Sequence, residues 1–261
     1  MDIDNKYGTL DIQKKLMALM KVFHKFCVEN DIKYSLDWGT LLGAIRHKGF
    51  IPWDDDLDVM MDRNNYNKLL RLIKTEEKLV FDNKNILTYW IGRVRLANDN
   101  GEDIYPPTID ILIMDNAPDN RFTRKIRIIL ILMIQGMLKV YPNFKKGSYL
   151  LRLCTFITYY IGKLFSRDFK LKMYDRLSQK SNRKNTQQIT SYYEEFSCLG
   201  KYYPKNLMDE MILVPFEDMD AYVVKDYHQC LVTQFGPNYM TPIKTRPNHT
   251  EIYKQRLNDN S

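Results

Sequence analysis

The sequence predicts an α/β protein of the α+β kind, in which helices back a small mixed sheet and a basic, apolar helical stretch is inserted. Three observations predict it. Apolar residues recur at helical spacing in Asp11 to Ile32 (Ile12, Leu16, Leu19, Phe23, Phe26). They alternate with polar ones at strand spacing in Asp56 to Met60 and again in Thr108 to Ile113. From Arg121 to Lys172 basic residues crowd between two apolar runs, with Asp168 the single acid. At 261 residues and 44% hydrophobic content the chain can bury one substantial core with an appended subdomain.

Taken in order, Asp11 to Ile32 is an amphipathic helix that packs behind the sheet, its His24 and Cys27 serving as packing residues. Lys33 to Leu36 reads as a short strand. Gly39-Thr40 then breaks into a helical run, Leu41 to Lys48, closed by Gly49. Asp62 has the chemistry of an N-cap for a helix from Arg63 to Lys74. Strands at Leu79 to Phe81, Tyr89 to Leu96 and Thr108 to Ile113 complete the sheet. The composition divides the chain into 1–120, a catalytic core, 121–186, the basic helical insertion, and 187–261, a C-terminal part.

The densest chemistry lies between Tyr34 and Val59. Asp54, Asp55, Asp56 and Asp58 fall within five positions, a concentration of like charge that costs folding energy unless a cation offsets it. As a strand, Asp56-Leu57-Asp58-Val59 sends both outer carboxylates to one face and both aliphatic side chains into the core. Two hard oxygen ligands so spaced suit Mg²⁺ or Mn²⁺, which share phosphate oxygens with a substrate. Asp54 has the same parity but precedes the alternation, and Asp55 points elsewhere. The plainer alternative is an acidic turn after Pro52. Upstream, a strand, a small-residue turn and a helix N-terminus make an anion site. Gly39 and the Thr40 hydroxyl would face a phosphate there, with Arg46, His47 and Lys48 one to two turns on. Alternatively, the glycines only permit close packing and Arg46 pairs with an aspartate. Asp110 is a lone carboxylate between Ile109 and Ile111, so its charge needs a partner. A metal held by the neighbouring strand would supply one; so would Arg93 or Arg95.

These residues resemble a known family. Trp38-Gly-Thr-Leu-Leu-Gly-Ala-Ile-Arg46 followed by Phe50-Ile-Pro-Trp-Asp-Asp-Asp-Leu-Asp58 is similar to the signature of the LicD phosphotransferases, a branch of the nucleotidyltransferase superfamily that includes the fukutin-type ribitol-phosphate transferases. Thr108 to Asp115 with Ala117-Pro118 resembles the family's second aspartate strand. Val214 to Glu217 and Phe235 to Pro242, with Arg246 and His249 beyond, resemble its tail block, although Phe235 and Asn238 stand where tyrosine and aspartate are usual. The resemblance implies a polymerase-beta-like core with Asp56, Asp58 and Asp110 as catalytic carboxylates and metal ligands, and Gly39, Thr40, Arg46 and Lys48 at the substrate. It also implies a CDP-activated alcohol as donor, with phosphocholine the commonest group transferred. The acceptor would be a lipid-linked or cell-surface glycan precursor of teichoic acid, lipopolysaccharide or capsule, and CMP would be released. Two other functions stay open: transfer of a nucleoside monophosphate to a small hydroxylated substrate, and a non-catalytic glycan or membrane adaptor.

The basic stretch generates the chain's formal charge of +7. Its apolar runs, Ile128 to Leu138 and Leu153 to Gly162, are shorter than the roughly 20 residues a bilayer-spanning helix needs. Helices of that kind rest on anionic membrane surfaces; the alternative is a subdomain packed on the core with a solvated basic face. No nucleic-acid module accompanies the charge, so no nucleic-acid partner is expected. Cys27, Cys154, Cys198 and Cys230 have no paired spacing and no leader peptide is evident, so a cytoplasmic protein peripheral to the inner membrane face is expected. The histidines are too scattered for a zinc site, and Walker and dinucleotide glycine motifs are lacking. The tyrosines after Gln187 are assigned no role beyond packing.

Overall fold

The computed structural model describes residues 7–82, 90–98, 107–140, 142–145, 147–194, 196 and 198–243. It divides into two units, one of Met1–Asp82, Arg93–Leu112 and Asn206–Ser261, the other of Asn83–Gly92 and Ile113–Lys205. The second unit therefore takes in more chain than 121–186. The fold is mixed α/β.

In the first unit α1 (Leu10–Glu29) buries Leu16, Leu19, Met20, Phe23 and Phe26, the stripe that its periodicity predicts. Phe23 meets the ring of Tyr34, and His24 bonds the Tyr34 hydroxyl through Nδ1 at 2.7 Å. With Cys27 fully buried, both act in packing. Each such large apolar side chain taken from water contributes about 1.5–3 kcal/mol. Strand β1 (Ser35–Leu36) pairs antiparallel with β2 (Leu57–Asp62), Leu36 opposite Val59. Between them runs α2 (Trp38–His47), one turn earlier than the sequence suggests. Asp37 caps it, and Gly39 and Thr40 belong to its first turn instead of breaking the chain. At its end Lys48, not Gly49, takes the left-handed conformation, φ 60°.

Helix α3 (Arg63–Leu72) starts where expected, with Asp62 Oδ1 accepting from the N–H groups of Asn64 and Asn65 at 2.8 and 2.9 Å. Strand β3 (Leu79–Asp82) pairs antiparallel with β4 (Gly92–Leu96). The beginning expected for β4, at Tyr89, lies outside the described residues. Strand β5 (Ile109–Asn116) runs between β2 and β4, giving the order β1-β2-β5-β4-β3. The C-terminal part adds a hairpin of β8 (Met211–Phe216) and β9 (Met219–Val224), then α7 (Tyr227–Phe235). Ser35 Oγ accepts from the Val224 N–H at 2.9 Å, tying β9 to β1.

The second unit begins on the last residues of β5, which pair antiparallel with β6 (Gln188–Ser191), itself paired with β7 (Tyr203–Pro204). Three helices lie between them in sequence: α4 (Arg121–Leu138), α5 (Tyr149–Gly162) and α6 (Arg167–Ser178). Both apolar runs are thus helical. Among the described residues no helix is long and apolar enough to cross a membrane.

Replacing Asp62 with alanine removes the acceptor for two main-chain donors at the start of α3. We expect a loss of about 1 kcal/mol of stability, read as a lower urea midpoint with an unchanged slope.

Candidate active site

The site is built where β1, α2 and β2 meet. Asp37 N–H donates to the Asp58 carbonyl at 3.0 Å, and Thr40 Oγ1 accepts from the Asp58 N–H at 2.9 Å. Both main-chain polar groups of Asp58 are thereby held by the start of α2. Thr40 is 2% exposed. The hydroxyl expected to face a phosphate accepts from the strand, and in that contact Thr40 acts as a strut. From Asp56 into β2 the alternation holds, with Leu57 and Val59 buried and Asp56 and Asp58 half-buried.

Sequence reasoning passed over Asp37. Its Oδ1 accepts from the Trp38 N–H at 2.9 Å and from Gln234 Nε2 at 2.6 Å, the latter carried by α7. Burial pushes its pKa up to about 6, against the opposing pull of the Gln234 and Trp38 hydrogen bonds. Trp38 carries φ 42°, a conformation L-residues adopt at a cost, and its ring stands edge-on to Phe235 at 5.7 Å. Gly39 is needed for close approach: a Cβ there would lie 2.6 Å from Asp54 Oδ2. The first turn of α2 is therefore met by two of the chain's own carboxylates.

The loop that delivers the acids is clasped from distant sequence. Glu217, at the tip of the β8–β9 hairpin, donates its N–H to Lys48 O and accepts from the Phe50 N–H through Oε1, both at 2.8 Å. That carboxylate occupies the space a Cβ on Gly49 would need. From α1, Gln13 Nε2 donates to Asp54 O at 2.8 Å, and Thr9 Oγ1 donates to Pro52 O at 2.7 Å. Asp55 is 1% exposed.

Arg46 is turned toward the C-terminal segment. Its Nη1 donates to Tyr239 O at 2.9 Å, and burial lowers its pKa. Of the side chain expected at the substrate, Nη1 is thus taken by main-chain carbonyls of Tyr239 and Thr241. Lys48 is exposed on the clasped turn. The tail block thus meets α2 through Phe235, Gln234 and Tyr239; its Arg246 and His249 lie outside the described residues.

Asp110 sits on β5, the strand beside β2. Arg93 of β4 grips it with both sides of the guanidinium, Nε to Oδ1 at 2.6 Å and Nη2 to Oδ2 at 2.7 Å. Of the two partners left open by the sequence, arginine is the one present. Among the described residues no three His, Cys, Asp or Glu side chains group closely enough to hold a metal ion. The expected cluster of Asp56, Asp58 and Asp110 is therefore not assembled, because the third carboxylate is held by Arg93. Asp56 and Asp58 alone still fit a magnesium ion, which commonly takes one or two carboxylates and completes its shell with water and phosphate oxygens.

Residues 31–125 match the LicD/FKTN/FKRP nucleotidyltransferase domain. Residues 31–125 are thus a domain of this family. The match contains α2, β2 and β5, and with them Asp37, Asp54, Asp55, Asp56, Asp58 and Asp110, while Glu217 lies outside it. A lipopolysaccharide cholinephosphotransferase LicD of Haemophilus influenzae is 29% identical over 260 residues, covering 90% of this chain and 93% of that protein. Uncharacterised proteins of Rickettsia prowazekii and Rickettsia typhi are 44% identical over 64 residues and 57% over 44, covering 24% and 17% of this chain. Asp37 of this LicD-family domain has a recognisable signal in hindsight, an aspartate just ahead of a helix. Glu217 and Gln234 have none that is local, since their partners lie 167 and 197 residues away.

Asp37 binds its proton more tightly in the folded chain than at its ordinary value of 3.8. Stability from this group is full below that pH and is lost as the pH rises through about 6, a contribution of up to about 3 kcal/mol. Asp37→Asn keeps the acceptor oxygen and removes the titration. Urea midpoints measured from pH 4 to 7.5 should show the variant gaining on the wild type as the pH rises.

Proposed function

We propose that the chain transfers a substituted phosphate, phosphocholine first among the candidates, from a CDP-activated alcohol to a hydroxyl of a cell-surface glycan precursor. The observation that carries this reading is the Asp56–Asp58 pair at the start of β2, Asp56 just before the strand and Asp58 on it, with the main chain of Asp58 held in place within a LicD domain. The near full-length similarity to a lipopolysaccharide cholinephosphotransferase supports the choice of group and acceptor.

In this reaction the acceptor oxygen forms a bond to the phosphorus that bears the alcohol. The bond from that phosphorus to the bridging oxygen breaks, CMP leaves with the bridging oxygen, and the acceptor proton passes to a base. A Mg²⁺ or Mn²⁺ ion held by Asp56 and Asp58 would offset charge on the donor's diphosphate. Asp56 and Asp58 orient the donor, and the strut from Thr40 keeps them from yielding to mutual repulsion. Arg93 is the cation best placed to answer a phosphate at β5, and a phosphate that draws it away leaves Asp110 to receive the acceptor proton. Lys48, exposed on a clasped turn, adds positive potential on the approach.

The test is incubation with CDP-choline, CDP-ethanolamine, CDP-glycerol and CDP-ribitol, Mg²⁺ and a lipid-linked glycan acceptor, with CMP as the readout. CMP should appear with at least one donor, and Asp58→Asn should lower the rate by about a hundredfold or more. Pyrophosphate released from a nucleoside triphosphate instead would show nucleotidyl transfer. Silence across the panel, unchanged by Mg²⁺, would leave an adaptor and sink the proposal.

A further inference from the structure

In the second unit α4 and α5 expose large apolar side chains to solvent. On α4 the buried residues are Ile131, Ile134, Gly136 and Leu138 together with two polar ones, Arg127, whose Nη1 donates to Ser181 Oγ at 3.0 Å, and Gln135, whose Nε2 donates to Tyr174 Oη and Glu194 O at 3.0 and 2.8 Å. The exposed face carries Phe122, Ile126, Ile129 and Met133 at helical spacing. On α5 only Thr155 and Gly162 are buried, while Leu150, Leu153, Ile157 and Ile161 form an exposed apolar stripe. Small residues make the seam between the two helices. A Cβ on Gly136 would collide with the Thr158 side chain, and one on Gly162 with the main chain of Met137.

Small residues at the seam and large apolar residues outward are the arrangement of helices whose solvent is lipid. In water, exposed apolar surface on this scale is costly, and it marks a site of interaction. A helix of 14 residues such as α5 extends about 21 Å, short of the roughly 30 Å hydrocarbon layer, so it lies along the interface and does not span it.

We propose that the apolar faces of α4 and α5 dock on an anionic lipid bilayer surface, independently of what the catalytic site transfers. Charge selects this occupant over a second copy of the chain. Arg121, Lys125, Lys139, Arg152 and Lys163 are exposed around the apolar face, and Asp168 is the only acid between 121 and 172. An isologous dimer would set these bases against themselves, whereas lipid phosphates would meet them with opposite charge. Lys163 lies over the rings of Tyr159 and Tyr160 at 4.7 and 5.1 Å, an amphipathic end suited to the headgroup layer.

Co-sedimentation of the full chain with vesicles of phosphatidylcholine alone, and of phosphatidylcholine with phosphatidylglycerol, tests the proposal. Binding should favour the anionic vesicles. Leu153→Glu with Ile157→Glu should weaken it at least about tenfold, and circular dichroism should confirm that these exposed substitutions leave the helices intact. Arg152→Gln and Lys163→Gln, which spare the apolar face, should each cost about fivefold on anionic vesicles and little on neutral ones. Equal binding by all variants would overturn the proposal. So would a lipid-free dimer in sedimentation analysis that the glutamate variants dissolve, since a second copy would then be the occupant.

Discussion

Two hydrogen bonds to the main chain of Asp58, from Asp37 N–H and to Thr40 Oγ1, set the geometry on which the candidate site depends. Carboxylates two residues apart on a strand stand about 6.6 Å apart. At an intermediate dielectric their repulsion is roughly 2–3 kcal/mol. Two hydrogen bonds contribute about 1 kcal/mol each, enough to resist that push without removing it. A divalent ion held by the two acids, as proposed, would relieve that residual repulsion.

The same logic explains why so much distant chain is spent on one short loop. Glu217 clasps the main chain at Lys48 and Phe50, and Gln13 and Thr9 hold it at Asp54 and Pro52. A free loop carrying Asp54, Asp55 and Asp56 would relax outward into water. Clasped from β8–β9 and from α1, it presents Asp54 against Gly39 and runs directly into β2. Within the first unit the C-terminal segment is thus part of the frame: Gln234 bonds Asp37, and Tyr239 O accepts from Arg46.

What the sequence showed and what it hid divide by range. The stripe of α1, the Asp62 cap and the β2 alternation rest on residues within a few positions of one another, and periodicity or capping chemistry exposes them. Gly39-Thr40 misled because glycine has two uses. Read as a helix breaker it delayed the start of α2, whereas its actual use is to let Asp54 come close. Glu217 and Gln234 make contacts that no spacing rule reaches. The apolar runs of α4 and α5 were visible as helices, but periodicity gives a face and not its direction. Only the structure shows that α4 buries Ile131, Ile134 and Leu138 and still leaves Phe122, Ile126, Ile129 and Met133 exposed.

The Arg93–Asp110 pair has an energetic consequence for the proposed reaction. Their side chains are 5% and 14% exposed, so removing one partner strands a charge in poor solvent, at a cost of about 3–5 kcal/mol. A metal ion alone would have to separate Asp110 from Arg93 and leave the guanidinium uncompensated. A free anion alone would strand the carboxylate. A metal-bound diphosphate brings both signs together, and each partner of the broken pair gains a replacement in the same event. On that reading Asp110 is withheld from the acceptor until the complete donor is bound. Water, which can occupy the site at any time, then meets no available base.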